Sequence, residues 1–125
     1  DKNTGGYVSA YLISGKDMIG SNLVARFRYD DGWKKALGHF AGILQAFTFG
    51  GGSAPDGSRN VSYVNCRTEG ASVAVYCDTG YRIDGMLVDG ISGRLESRPP
   101  ITAKAIVLWG QPEYLNIVTN NVTVR

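Results

Sequence analysis

One histidine and two cysteines in 125 residues leave little for the commonest acid–base and metal chemistries. Most multi-histidine metal sites, two-histidine machinery and any zinc module built on four cysteines are excluded. A Gly-x-Ser-x-Gly elbow, a His-x-x-x-His or Cys-x-x-Cys pair and a phosphate-cradling loop followed by Lys-Ser/Thr are also missing. An excess of one charge is lacking too. Thirteen Lys and Arg face eleven Asp and Glu, for a net charge of +2, which argues against nucleic acid or an anionic membrane as an obligatory partner. There is no run of 18 apolar residues, so no transmembrane helix is expected. The opening Asp1-Lys2-Asn3-Thr4 does not read as a signal peptide, and a start without Met fits a processed mature chain or an excised domain.

The remainder is the composition of one packed domain spanning residues 1–125, with 43% hydrophobic and 19% charged residues. Seventeen glycines, set with Asp, Asn, Ser and Thr between short runs of Val, Ile, Tyr and Thr, punctuate a β-rich chain. Residues 6–14 read as a strand with two largely apolar faces. Residues 22–29 alternate, with Leu23, Ala25, Phe27 and Tyr29 on one face and Val24, Arg26 and Arg28 on the other, as in a half-buried strand.

Between 32 and 47 the period changes. Trp33, Leu37, Phe40, Leu44 and Phe47 recur at helical spacing, and the Gly50-Gly51-Gly52 run would stop a helix. The spacing predicts one amphipathic helix near residues 32–47. Gly38 and Gly42 weigh against it, and Phe40 to Phe49 also reads as a buried strand. A Gly/Ser/Pro/Asp loop follows at 50–59. Residues 61–66 and 72–77 read as a hairpin turning at Glu69-Gly70-Ala71, with further strands at 81–88, 93–97, 101–109 and 114–124. The Asp-Gly pairs at 84–85 and 89–90 stand too close together to bracket a full strand, so one of them marks a bulge or an irregular corner. No internal repeat of 20 to 50 residues is visible. The fold expected is mainly β: an antiparallel curled sheet, barrel-like or a two-layer sandwich, with that one helix.

The hairpin register places Cys66 directly opposite Cys77, which predicts a cross-strand disulfide and hence an oxidising compartment, secreted or periplasmic. The alternative is a pair of buried thiols. His39 lies on the polar face of the expected helix, and a lone exposed histidine gives no ground for a catalytic role. Asp78, Asp84 and Asp89 read as turn residues, not as calcium ligands. Tyrosine outnumbers phenylalanine, seven to four, and tyrosine is enriched where one end of a ring must be wet. Trp109, Gln111, Glu113 and Tyr114 flank one turn, and Asp78 and Tyr81 flank a second loop. Together they form a candidate ring-and-polar surface for sugar or protein recognition.

The leading expectation is a non-enzymatic, secreted or periplasmic, carbohydrate-binding or protein-binding module. It needs no cofactor or metal, does not bind nucleic acid and does not insert into membranes. A small secreted toxin-type hydrolase or nuclease using His39 with Arg26 or Arg28 is one alternative. An inhibitor or immunity protein acting through the 50–59 loop is another.

Overall fold

The computed structural model describes residues 8–28, 44–50, 58–79, 83–97, 102–110 and 115–122. Within these the chain forms nine strands: β1 (Val8–Ile13), β2 (Lys16–Ser21), β3 (Val24–Arg26), β4 (Leu44–Gly50), β5 (Ser58–Ala71), β6 (Val73–Thr79), β7 (Ile83–Leu95), β8 (Lys104–Gly110) and β9 (Leu115–Val122).

Every pairing between them is parallel. One sheet runs β1-β4-β6-β8 and a second β2-β5-β7-β9, while β3 pairs with the far half of β5. Consecutive strands therefore do not pair with each other. Apart from β2 and β3, which both pair with β5, successive strands lie in alternate sheets, and pairing is with the strand one circuit later, giving four stacked coils: β1-β2-β3, β4-β5, β6-β7 and β8-β9. This is the architecture of a β-solenoid, in which each coil touches only its neighbours in the stack.

The antiparallel barrel or sandwich expected from the alternation is thus corrected. Alternating apolar and polar residues mark a pleated strand whatever the direction of its partner, so the pattern at 22–29 identifies a strand and not its pairing. Here Ala25 is buried and Val24, Arg26 and Arg28 are exposed, as the alternation requires. The helix expected near 32–47 is corrected at its C-terminal end. Leu44 to Phe47 belong to β4, where both faces are buried, so their apolar spacing comes from a strand covered on two sides. Residues 29–43 lie outside the described residues, and among the described residues there is no helix.

The corners explain how the coils can close. Asp17, Asn22, Asn60 and Asn65 adopt left-handed backbone conformations with φ between 53° and 57°, and Gly85 and Gly90 do so at 76° and 75°. Asn and Asp tolerate that region better than other residues with a side chain, and Gly enters it freely. Both Asp-Gly pairs flagged in the sequence therefore sit at corners, and the register of β7 against β9 shifts between Asp84 and Met86. Stacked corner residues also bond each other. Asn60 donates from Nδ2 to Asp17 Oδ1 at 2.8 Å, and Asn65 from Nδ2 to Asn22 Oδ1 at 2.6 Å. Elsewhere serines fasten the bends: Gly15 N–H donates to Ser58 Oγ, which donates to the Gly50 carbonyl, and Leu44 N–H donates to Ser72 Oγ.

The core is built from inward rows. Register aligns Tyr11, Phe47, Val75 and Ile106 in the first sheet and Val61 and Met86 in the second, with the exposed Met18 at the end of that row. Tyr63 joins the two sheets. Its ring lies 5.2 Å from Phe47 and 4.8 Å from Phe49, and its hydroxyl donates to the Thr48 carbonyl at 2.8 Å. Gly20 makes room for it, since a Cβ there would stand 2.8 Å from the Tyr63 ring. Burial pushes the Tyr63 phenol well above its ordinary range, so it stays a protonated donor.

The corner account makes a graded prediction at Asn65. Replacement by Ala loses the ladder hydrogen bond and forces a Cβ residue into the left-handed region, at a cost of about 1–3 kcal/mol. Replacement by Gly loses only the bond and should cost less. Urea denaturation of the two variants against wild type measures the order, and Ala at least as stable as Gly would contradict it.

Candidate functional site

The cysteine pair is the first site expectation to be corrected. Cys66 lies in β5 beside Ile91 of β7, whereas Cys77 lies in β6 between Phe49 and Leu108 in the other sheet. Both are buried thiols, and they form no disulfide. The turn assumed at Glu69-Gly70-Ala71 is strand, and the chain bends at Ser72 into a different sheet without doubling back. Burial raises the Cys66 thiol above its usual value, which keeps it neutral and unreactive. The reason for an oxidising compartment falls with the bridge.

Of the six residues expected at the binding surface, Gln111, Glu113, Tyr114 and Tyr81 lie outside the described residues, as do His39 and loop residues 51–57. The other two are brought together. Asp78 of β6 and Trp109 of β8 are direct register partners, with Gly50 of β4 on the other side of Asp78. Both stand in strands, one register position beyond Phe49, Cys77 and Leu108. Asp84 pairs in register with Arg59 and Asp89 with Val64. Among the described residues no group of three His, Cys, Asp or Glu is placed to hold a metal.

A second constellation emerges only from the register. The third face of the solenoid, made by β3 and the far halves of β5 and β7, aligns Val24, Arg67 and Ser92 in one row and Arg26, Glu69 and Arg94 in another. The alternation that buries Ala25 and Thr68 turns these rows outward, and Arg26, Arg67 and Arg94 are exposed. Arg67 donates to Glu69 Oε1 from Nε at 3.1 Å and from Nη2 at 2.7 Å. That hydrogen bond, joined by the charges of Arg67, Arg94 and Arg26, holds the Glu69 carboxyl below its ordinary range. Arg67 thus pairs with Glu69 on an open face, and Arg26 and Arg94 occupy the positions on either side of it in its row. Facing inward behind them, Thr68 Oγ1 has no hydrogen-bond partner among the described residues.

No family model, curated protein or solved structure matches this chain. Its chemistry is therefore read from its own rows. The arginine rows escape a linear reading because their members come from three coils of unequal length. One signal does recur: left-handed corner residues stand five apart at Asp17 and Asn22, at Asn60 and Asn65, and at Gly85 and Gly90. Aligning those pairs puts β2, β5 and β7 in the observed register.

The thiol geometry gives a direct test. Alkylation of the native protein at pH 8 without reductant should label neither cysteine, because both are buried, and the same treatment in denaturant should label both. No label after denaturation would show a disulfide that the fold does not allow.

Proposed function

We propose that the chain is a non-catalytic binding module that presents a rigid sheet surface to an extended partner, a glycan chain first. The observation that carries this reading is the row geometry. Parallel coils repeat each outward position at the strand spacing of about 4.8 Å, so side chains from successive coils stand in straight lines along the stack. A repeating ligand can meet equivalent groups at each step, which a single pocket cannot offer. The backbone adjacency of Asp78 and Trp109 adds a polar residue and a ring residue at neighbouring positions on the first sheet.

The state of the buried nucleophiles supports binding over turnover. A reactive cysteine or tyrosine needs its pKa lowered, whereas burial raises both Cys66 and Tyr63. The carboxyl held low on the third face, Glu69, is neutralised by arginines in the manner of an ion pair and is poorly suited to act as a general acid at neutral pH.

The test is retention without consumption. Immobilised protein exposed to a panel of polysaccharides and candidate protein partners should retain at least one of them. The retained glycan should be recovered at its original length, with no new reducing ends. Shortening of the polymer by the purified protein would make it an enzyme, and retention of nothing would remove the binding reading.

A further inference from the structure

We infer that the third face is a docking surface for an acidic polysaccharide, one carrying a carboxylate on each sugar or each second sugar. The inference rests on the binding-module reading and names the class of ligand for one face of it. Arg26 and Arg94 stand in one outward row, separated by two strand spacings, about 10 Å, with Arg67 beside the middle position. All three are exposed, Arg67 with 61% of its side chain accessible. Positive charge therefore recurs along the stack, across three coils, on an open sheet, with Glu69 between its two ends.

What such a line accepts is shown by the carboxylate it already holds. Glu69 takes two hydrogen bonds from Arg67 and lies within the fields of Arg26 and Arg94. The cations are all arginine, whose planar fork matches a carboxylate better than the point charge of lysine does. One internal carboxylate against three guanidinium groups leaves the face with positive charge at both ends of the row. A uronate chain lying along the row would place carboxylates at Arg26 and Arg94 and compete with Glu69 for Arg67.

Charge spacing separates this ligand from nucleic acid. Each strand of duplex DNA carries about one charge per 3.4 Å of axis, closer than the strand spacing of about 4.8 Å, so its phosphates would fall against Glu69 at the centre of the row. The two rows also offer no ring on which a base could stack, being made of Val24, Arg67, Ser92, Arg26, Glu69 and Arg94. An extended uronate chain turns successive carboxylates to opposite sides, so those that face the sheet recur at every second sugar and can straddle Glu69.

Affinity electrophoresis in gels containing polygalacturonate, neutral dextran or duplex DNA tests the inference with four proteins of matched far-ultraviolet circular dichroism. Wild type should be retarded by polygalacturonate at low salt, and the retardation should fade as salt rises toward a Debye length of about 8 Å. The double variant Arg26→Gln/Arg94→Gln should bind about three- to tenfold more weakly, as expected for two exposed charge pairs. Arg59→Gln, which removes an exposed arginine at the start of β5, eight residues before Arg67 and off the third face, should match wild type within about twofold. Glu69→Gln should bind more tightly, because it releases Arg67, and a gain in affinity is not produced by misfolding. The inference is overturned by equal losses in Arg59→Gln and the double variant, by unchanged or weaker binding in Glu69→Gln, or by tighter retention in DNA than in polygalacturonate. Absent retardation by polygalacturonate together with retention of a neutral glycan or a protein would defeat the inference and leave the binding module standing. Retention of nothing would defeat both.

Discussion

Parallel hydrogen bonding between one circuit of the chain and the next is the constraint on which the other features depend. A parallel partner cannot be reached by a tight hairpin, so the chain must travel round a full coil before it pairs. That requirement puts corners where hairpins would otherwise be, and the corners demand residues that tolerate left-handed φ. Asp17, Asn22, Asn60, Asn65, Gly85 and Gly90 meet the demand, and the Asp and Asn side chains bond from coil to coil. The stack also fixes the interior. Once Val61 lies over Met18 and Met86 over Val61, the apolar side chains form continuous columns, and Tyr63 can reach across from the second sheet to the first.

The same register that orders the core orders the surface. Outward residues inherit the alignment of their inward neighbours, so an arginine in β3, a glutamate in β5 and an arginine in β7 become a row without any contact in sequence. Surface ion pairs contribute little to stability. What the register fixes here is geometric: a charge pattern at strand spacing along one face. The first coil differs from those beneath it. Met18 is 40% exposed where its column mates Val61 and Met86 are buried, and Ile19 is 70% exposed.

Strand positions were legible in the sequence, while strand partners were not. Alternation at 22–29 locates β3 and the sides of Ala25 and Arg26, and the crowded Asp-Gly pairs mark the corners of β7. Alternation carries no information on direction, however, and the neat symmetry about Glu69-Gly70-Ala71 imitates a hairpin. The apparent opposition of Cys66 and Cys77 is a product of that imitation. The coils also differ in length, because residues 29–43 and 51–57 add unequal stretches between strands that stack, and this hides the repeat from a search at fixed period. Of the candidate surface, Asp78 and Trp109 read in the sequence as residues flanking two loops, whereas in the fold they are strand residues paired in register. In the sequence Arg26 and Arg28 read as partners for a histidine and not as part of a row, since the row exists only once the coils are stacked.

Nuclear Overhauser contacts between backbone protons of isotopically labelled protein test the stacking most directly. The parallel coils predict contacts linking Val61 with Met86, Tyr63 with Val88 and Cys66 with Ile91, together with contacts linking β3 to residues 67–69. Contacts linking Cys66 with Cys77 and Arg67 with Tyr76 would instead describe an antiparallel hairpin and would contradict the stacked coils.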